Sequence, residues 1–228
     1  MLTGKSFAIT QCANCSFLFT NPRPVEADLS KYYKSEAYIS HTNKATNLVN
    51  FTYKLARNYT LAKKVKLINS ISPEKSVLDY GCGSGEFLRA CQKKAWKIHG
   101  FEPDQQAREK AASITQTNII SDLKDLKHLD QVSLITLWHV LEHVPNLNAT
   151  IEQLKSKLTK NGKFLIAVPN HESYDAQYYK EHWAAYDGPR HLYHFSMKTM
   201  KGFLQKHGLK LYKTIPMILD AYYVSLLS

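Results

Sequence analysis

The sequence VLDYGCGSGEFL occupies residues 77–88 and contains the pattern that decides the fold. Its first four residues are a short, mostly apolar run, which predicts a buried strand. Glycines follow at positions 81, 83 and 85, and a helical pattern resumes at Glu86. Glycine lets the backbone turn tightly and lets a ligand approach where a Cβ atom would collide. The stretch therefore predicts a strand, a glycine turn and a helix in direct succession, an arrangement that also serves dinucleotide-binding enzymes.

Two carboxylates accompany this glycine turn. Asp79 lies two residues ahead of Gly81, and Glu102 follows the next predicted strand, 21 residues after Gly81. The glycine spacing is G-x-G-x-G, whereas dinucleotide enzymes have G-x-G-x-x-G. A carboxylate beside the turn, such as Asp79, does not stabilise a pyrophosphate but favours a cationic ligand. A carboxylate after a second strand, such as Glu102, can accept hydrogen bonds from both hydroxyls of a ribose. We therefore predict a ligand that contains a nucleoside; the alternative is a structural turn with a surface glutamate.

Short apolar runs separated by helical stretches continue from Pro73 onward. Such alternation predicts a parallel sheet with crossover helices, and therefore an α/β domain. Ahead of the sheet, apolar residues at helical spacing predict a helix from Leu48 to Ile71, and behind it we predict a helix around Phe203–His207 and a strand at Leu209–Ile215. The predicted strands of the sheet are Ser76–Tyr80, Lys97–Phe101, Asn118–Ile120, Val132–Leu137 and Phe164–Val168.

The motif at Leu78–Gly85, followed by GFEP at residues 100–103, resembles that of the class I S-adenosylmethionine-dependent methyltransferases. The resemblance extends over roughly residues 73–215. It implies a doubly wound, mostly parallel, seven-stranded Rossmann-like sheet with helices on both faces, and S-adenosylmethionine as the cofactor. It also implies that Asp79 and the glycine loop hold the methionine portion, Glu102 the ribose, and residues 122–123 the adenine. The full set of implied cofactor contacts is Asp79, Tyr80, Gly81, Cys82, Gly83, Gly85, Glu102, Pro103, Asp122, Leu123 and His139.

Polar side chains follow the fourth predicted strand, in the sequence WHVLEHVP at residues 138–145. Ligands of open α/β sheets bind at the carboxyl ends of strands, so we expect His139, Glu142 and His143 near the transferred methyl group. The segment resembles the H-x-L-E-H-V stretch of methyltransferases that act on small molecules, including quinone precursors. That resemblance makes His139 a wall of the cofactor site, and Glu142 and His143 base and orienter. The structural alternative is a helix that begins at Leu141. A divalent metal ion on the same three residues is a further alternative, which no further carboxylate at ligand spacing supports.

An aromatic and histidine-rich stretch, HWAAYDGPRHLYHFS, occupies residues 182–196 after the fifth predicted strand. Its tryptophan and tyrosines offer stacking faces, and its polar side chains suit a pocket for a small polar or aromatic substrate. It resembles the W-x-x-x-D-x-P-R-H-x-x-H-F-S element of one methyltransferase subfamily. We interpret residues 170–196 as a substrate insertion in which His191 is a candidate base, and Ser196 as the cap of the next helix. The alternative is a packed connector in which Arg190 pairs with Asp187.

Residues 1–72 are predicted to form an N-terminal segment with a cysteine pair and a helical lead-in, ahead of a methyltransferase domain at residues 73–228. Cys12 and Cys15 have the spacing of half a zinc ribbon, and relatives with a full ribbon carry an element like FTNPRP at residues 19–24. We interpret the pair as a remnant of a ribbon. Two cysteines cannot close a zinc site, so the sequence assigns no metal. We expect Tyr33 and Tyr38 to close over the cofactor and stabilise its sulfonium.

The composition is that of a globular protein, because 44% of the 228 residues are hydrophobic and 21% are charged. This excludes intrinsic disorder as the main state. No apolar run approaches the roughly 18 residues that cross a bilayer, and the N-terminus lacks a signal-peptide pattern, so we expect a cytoplasmic protein. The formal net charge of +11 favours an anionic partner, although the dispersed lysines also fit a solvated basic surface.

These features predict an S-adenosylmethionine-dependent methyltransferase with a small-molecule acceptor. The acceptor atom and the oligomeric state stay open. Two alternatives remain at this stage. One is a nicotinamide-dependent oxidoreductase, which the glycine loop and Glu102 favour and the glycine spacing opposes. The other is a non-catalytic module of the same fold that binds nucleic acid, the less favoured partner, through its basic surface.

Overall fold

A computed structural model describes residues 7–32 and 47–228 of the chain. The chain divides into two compact units. The first, called here the central-sheet unit, comprises Thr46–Leu141 and Asn146–Ala167. The second, called the small-sheet unit, comprises Met1–Ala45, Glu142–Pro145 and Val168–Ser228.

Eight strands and eight α-helices are found in the described residues, and within them no helix combines the length and apolar character that a membrane span requires. Short 3-10 turns lie at Ser30–Tyr32, Leu123–His128, Leu141–His143, Lys180–His182 and Ala184–Tyr186. In chain order the strands and helices are β1 (Ile9–Gln11), β2 (Leu18–Thr20), α1 (Glu26–Leu29), α2 (Asn47–Ile71), β3 (Ser76–Tyr80), α3 (Glu86–Gln92), β4 (Lys97–Phe101), α4 (Gln105–Thr115), β5 (Ile119–Ile120), β6 (Val132–Trp138), α5 (Leu147–Lys155), β7 (Leu158–Ala167), α6 (Tyr174–Tyr179), β8 (Tyr193–His194), α7 (Met197–Lys206) and α8 (Ile218–Leu227).

Five parallel strands form the sheet of the central-sheet unit, in the order β5-β4-β3-β6-β7. The predicted α/β class is confirmed, but the expected count of seven strands is wrong, because the described residues place five strands in this sheet. Residues 209–215, predicted to be a strand, have no regular structure. Tyr212 is 90% exposed and Ile215 is 43% exposed, so the alternation in this stretch buries no apolar face.

Apolar burial explains why these residues form this sheet. Residues 132–137 of β6 are all buried, as expected for a parallel strand covered on both faces. Val65 and Ile68 on the predicted long helix, α2, pack in one cluster with Val77 and Leu134 of the sheet. Each such side chain contributes about 1.5–3 kcal/mol when it is fully buried. The tightly packed sheet therefore supports the loops that follow its strands.

The strand order reverses beside β3. From β3 the chain passes to β4 and β5 on one side of the sheet, and then returns to β6 and β7 on the other side. In open α/β sheets, the crevice outside the carboxyl ends of the strands at such a reversal is where ligands bind. The loop at Gly81–Gly85 directly follows β3, so the chain places its glycines at this point.

The small-sheet unit contains a three-stranded antiparallel sheet in the order β1-β2-β8. The sequence analysis did not predict it, because its strands are only two or three residues long. Phe17 packs edge-to-face on Phe195, with ring centroids 5.2 Å apart. Ser196 caps α7 as predicted, because its hydroxyl accepts a hydrogen bond from the Thr199 amide at 3.2 Å.

Replacing Gly85 by alanine should destabilise the central-sheet unit. Gly85 has a φ of 81°, and an added Cβ would lie 2.8 Å from both Cα and Cβ of Ala111 in α4. Strain at positive φ and overpacking together cost about 2 kcal/mol or more. In a chain of this size, that loss lowers the Tm by roughly 4–8 °C, which thermal unfolding followed by circular dichroism measures.

Gly202→Ala is the matched control. Gly202 lies inside α7, and an added Cβ would meet no atom within 4 Å. Alanine there should raise stability by about 0.5–1 kcal/mol, because it restricts the unfolded chain and favours the helix. Equal Tm values for the two variants would contradict the close packing of the glycine loop against α4.

Candidate functional site

The glycine loop lies at the carboxyl end of β3 and bends sharply. The amides of Gly81 and Cys82 both donate to the Phe101 carbonyl, at 2.8 and 3.0 Å. Gly81 has a φ of 77°, and a Cβ there would collide with Val140 at 2.6 Å, so only glycine fits. Gly83 also has a positive φ, 53°, but a Cβ there would meet nothing within 4 Å. The loop is therefore open at Gly83, where a ligand can approach the backbone.

Glu102 follows β4, and its side chain is hydrogen-bonded to the glycine loop. Its Oε2 accepts a hydrogen bond from the Gly83 amide at 2.8 Å, and its Oε1 accepts one from the Asp104 amide at 3.0 Å. Burial raises the pKa of this carboxyl, against the effect of the two backbone hydrogen bonds. Each carboxylate oxygen can accept more than one hydrogen bond, so two neighbouring ligand hydroxyls can still be accommodated.

Asp79 lies inside the sheet, one residue before the end of β3, and is 3% exposed. The Thr136 hydroxyl on β6 donates to its Oδ1 at 2.6 Å. Burial raises the pKa of the Asp79 carboxyl to about 7, although this hydrogen bond acts in the opposite direction. The carboxyl thus changes charge near neutral pH, and a nearby positive charge would favour its ionised form.

The remaining residues predicted to contact the cofactor also belong to the central-sheet unit and follow the carboxyl ends of its parallel strands. Asp122 comes after β5 and caps the 3-10 turn that Leu123 begins, accepting from the Lys124 amide at 2.9 Å. His139 comes after β6 with a φ of 56°. Carboxyl ends of parallel strands meet at one edge of a sheet, so the structure brings together the following residues: Asp79, Tyr80, Gly81, Cys82, Gly83, Gly85, Glu102, Pro103, Asp122, Leu123 and His139.

The histidines predicted to be catalytic lie together in the small-sheet unit. The rings of His143 and His191 pack edge-to-face with centroids 4.5 Å apart, and Glu142 adjoins them. His143 Nδ1 lies 2.9 Å from the Arg190 carbonyl, and His191 Nδ1 lies 2.7 Å from the Ala185 carbonyl. Both histidines are predicted from the sequence, but no sequence pattern predicts that their rings touch.

The structural alternative, a helix that begins at Leu141, is found only as one short turn. Residues Leu141–His143 form a single 3-10 turn, and the next helix, α5, begins at Leu147 after its own cap, Asn146.

Burial lowers the pKa of His143 to about 3, and the adjacent His191 ring acts in the same direction. His143 is therefore neutral at physiological pH, and a neutral imidazole can bind a metal ion.

The stretch predicted as a substrate insertion also contains the ion pair of the structural alternative. Arg190 Nη2 lies 2.6 Å from Asp187 Oδ1, and Nε of the same guanidinium lies 3.0 Å from it. Burial raises the pKa of the Asp187 carboxyl, and the hydrogen bonds from Arg190 oppose that shift. The other Asp187 oxygen, Oδ2, lies 3.8 Å from His191 Nε2, so the pair also adjoins the histidines.

A cavity of about 1220 Å³ lies within the small-sheet unit. Part of its lining comes from the predicted insertion, but Phe7 and Tyr32 come from the N-terminal segment, and the sequence analysis missed them. The lining combines stacking faces and positive charges with two acidic side chains, Glu181 and Asp187. The aromatic and cationic side chains of the lining include Phe7, Lys31, Tyr32, Lys180, Tyr186 and Arg190.

The cysteine pair lies in the turn between β1 and β2, where the Ser16 amide donates to the Cys12 carbonyl at 2.9 Å. Backbone hydrogen bonds from Cys15 and Asn14 lower the pKa of the Cys12 thiol. The ribbon remnant stays a prediction. Tyr33 and Tyr38, expected to cover the cofactor, lie outside the described residues.

Comparison with known proteins agrees with this geometry. A family model described as a methyltransferase domain matches residues 53–214. Over 106 residues the chain is 34% identical to a ribosomal protein L11 methyltransferase of Paraburkholderia phytofirmans, and over 114 residues it is 30% identical to a ubiquinone biosynthesis O-methyltransferase of Salmonella arizonae. These matches cover 44% and 41% of this chain, and 34% and 47% of the relatives, so the chain spans less than half the length of either.

A solved structure has the same fold. The magnesium protoporphyrin IX methyltransferase of Synechocystis PCC 6803, with bound SAH, superposes with a TM-score of 0.61 at 16% identity. The superposition covers 83% of this chain and 92% of that protein. The family match extends over well more than half of the sequence and includes the glycine loop, Glu102 and the WHVLEHVP segment. The chain therefore belongs to the methyltransferase-domain family, which confirms its resemblance to the class I S-adenosylmethionine-dependent methyltransferases.

Proposed function

We propose that the chain binds S-adenosylmethionine at the carboxyl edge of its central sheet and transfers the methyl group to a small-molecule acceptor. The observation that carries the proposal is the contact between Glu102 and the open glycine loop at Gly83. It combines a backbone that a ligand can approach with a carboxylate that can accept ribose hydroxyls. The family assignment supports methyl transfer over the nicotinamide-dependent alternative.

The described residues fit this cofactor chemically. The ribose hydroxyls would donate to the Glu102 carboxylate, and the methionine portion would lie along the loop beside Asp79 and Gly83. Asp122 and Leu123, after β5, would contact the adenine, with His139 on the side of β6. S-adenosylmethionine carries positive charge, and the carboxylates at this edge complement that charge. The curated O-methyltransferase relative supports a small molecule as the acceptor.

When bound, the cofactor supplies a methyl group on a sulfonium sulfur, which is a good leaving group. The protein's contribution is then to align the acceptor with that methyl group and to exclude water. We assign the acceptor contacts to His143, His191 and the residues of the cavity in the small-sheet unit. Its lysines, arginine and aromatic rings suit an acceptor that combines an aromatic ring with an acidic group.

The histidines would act on the proton of an acceptor hydroxyl. The Nδ1 atom of each ring faces a backbone carbonyl, which can only accept, so Nδ1 carries the ring hydrogen and Nε2 carries the lone pair. A lone pair on Nε2 can take the proton as the methyl bond forms. His143 and His191 are thus the proposed catalytic residues.

Glu102→Gln should weaken the binding of S-adenosylmethionine by about 1–3 kcal/mol, which is roughly 5- to 150-fold in Kd. The neutral amide makes weaker hydrogen bonds to the ribose and cannot accept through both of its side-chain atoms. Isothermal titration calorimetry measures the change. Glu74→Gln is the control, since Glu74 is exposed and precedes β3 at the opposite edge of the sheet. Equal affinity in both variants would move the ribose away from Glu102.

Cofactor affinity should rise with pH between about pH 6 and pH 7.5, and then level off. In the free chain the pKa of Asp79 is about 7, so below that pH the carboxyl is mostly protonated. A bound cation favours the carboxylate, so binding at low pH must release a proton and is weaker, by at most tenfold per pH unit. Calorimetry in buffers of different ionisation enthalpy counts the protons.

Asp79→Asn should remove both the proton release and the pH dependence of affinity in this range. The variant keeps the size of the side chain and its proximity to Thr136. A wild-type affinity that is constant across the range would contradict the placement of the cationic part of the cofactor near Asp79.

His191→Ala should leave the affinity for S-adenosylmethionine nearly unchanged and lower turnover by about 100-fold or more. The acceptor for this assay comes from a screen of cell extract for radiolabel transferred from the cofactor. His182→Ala is the control, because the His182 side chain is 78% exposed. If His191→Ala lowers the Tm, cofactor affinity and turnover together, the histidine belongs to a structural connector instead.

A further inference from the structure

Two imidazoles and a carboxylate meet in the small-sheet unit, and we propose that they hold a divalent transition-metal ion. They belong to His143, His191 and Glu142, and one ligand atom from each residue lies within 4.8 Å of the others. Within residues 7–32 and 47–228, it is the only group of three metal-ligating side chains whose ligand atoms come this close together. The proposal concerns the ion itself and goes beyond the proposed methyl transfer.

Each histidine makes, through Nδ1, the hydrogen bond that is typical of a metal-bound histidine. His143 Nδ1 is 2.9 Å from the Arg190 carbonyl, and His191 Nδ1 is 2.7 Å from the Ala185 carbonyl. A histidine that binds a metal through one ring nitrogen almost always donates the other N–H to a carbonyl or carboxylate. Both carbonyls fix the tautomer whose lone pair is on Nε2, which is the form that binds a metal.

Hydrogen bonds to main-chain carbonyls fix the two halves of the cluster. Glu142 and His143 are adjacent on a 3-10 turn, whereas His191 precedes β8. The Leu192 amide donates to the Glu142 carbonyl at 2.8 Å, and the Thr20 hydroxyl donates to the His191 carbonyl at 2.6 Å. The main chain on each side of the cluster is therefore positioned before any ion binds, which lowers the entropic cost of assembling the site.

The donor set selects the class of ion. Two imidazole nitrogens and one carboxylate suit Zn²⁺ and similar transition-metal ions, whereas Mg²⁺ and Ca²⁺ prefer oxygen donors alone. Asp187 Oδ2, 3.8 Å from His191 Nε2, adds a second acidic group near the ligands. Asp187 already pairs with Arg190, so the carboxylate that favours a cation at this position is Glu142.

A tetrahedral zinc ion needs its ligand atoms about 3.3 Å apart, so the cluster must contract by roughly 1.5 Å at most on binding. Glu142 and His191 are buried, but His143 is only partly buried, which gives an ion and a further ligand a route from solvent. Three protein ligands leave the fourth position open, as in catalytic zinc sites.

An ion at this position would also change the acceptor chemistry, in a way that rests on the proposed function. The ion could bind an acceptor hydroxyl at its open position and lower the pKa of that hydroxyl, so the proton would leave to solvent. A metal ion and a proton cannot use the same lone pair. In the metal-loaded chain His143 and His191 would therefore be ligands rather than bases.

Metal binding by the full chain, without cofactor or acceptor, tests the inference. The background carries Cys12→Ser and Cys15→Ser, so that the cysteine pair cannot supply a second binding site. The protein is treated with a chelator, desalted and titrated with Zn²⁺ by calorimetry, and bound metal is counted by elemental analysis. Co²⁺ serves as a spectroscopic probe, because its visible absorption reports the coordination geometry, and Mg²⁺ is titrated in parallel.

We expect one Zn²⁺ per chain, a visible Co²⁺ spectrum, a higher Tm with Zn²⁺, and no comparable binding of Mg²⁺. His191→Gln, His143→Gln and Glu142→Gln should each weaken Zn²⁺ binding by about 100-fold or more, since even loss of an outer hydrogen bond costs 10- to 100-fold. His182→Gln, at an exposed position, should bind like the background.

The proposal is overturned if the background binds no Zn²⁺, or if Zn²⁺ affinity is the same in the ligand variants as in His182→Gln. The metal-free Tm of each ligand variant identifies a variant that fails to fold. His143 is only partly buried, so a substitution there should disturb folding the least. Since no cofactor is present, failure here leaves the binding of S-adenosylmethionine untouched, and failure of cofactor binding leaves the metal result standing.

Discussion

The hydrogen bond from the Gly83 amide to Glu102, 2.8 Å long, connects the loop after β3 to the end of β4. The other oxygen of the same carboxylate accepts from the Asp104 amide, and Asp104 in turn caps α4 by accepting from the Ala107 amide. One buried carboxylate therefore orders two strand ends and a helix start. Hydrogen bonds to a charged group contribute about 1.5–3 kcal/mol each, so the loop is held open at Gly83 without a ligand. Every cofactor contact that we propose depends on that shape.

The two units carry different chemistry. The central-sheet unit presents buried carboxylates, Asp79 and Glu102, at the edge where its parallel strands end, which suits a cationic nucleoside. The small-sheet unit presents two imidazoles, those of His143 and His191, beside Glu142, a set that suits metal binding. In each unit burial sets the protonation state: it raises the pKa of Asp79 to about 7 and lowers that of His143 to about 3.

Local patterns made the central sheet and its glycine loop predictable. Runs such as Val132–Leu137 are buried on both faces, and glycines that need positive φ are visible in the sequence, as at Gly81. The parts that could not be predicted depend on contacts between distant residues. His191 is 48 positions from His143, and no periodic pattern relates them. Residues 209–215 alternate like a strand but have no neighbour in the described sheets, because alternation alone does not supply a pairing partner.

A crystal structure of the chain with S-adenosylhomocysteine, the product that remains after methyl transfer, tests cofactor binding at Glu102 most directly. We expect both ribose hydroxyls to lie within hydrogen-bond distance of the Glu102 carboxylate, with the amino-acid portion along the loop at Gly81–Gly85. A nucleoside bound elsewhere on the chain, or a ribose whose hydroxyls contact neither oxygen of Glu102, would contradict it.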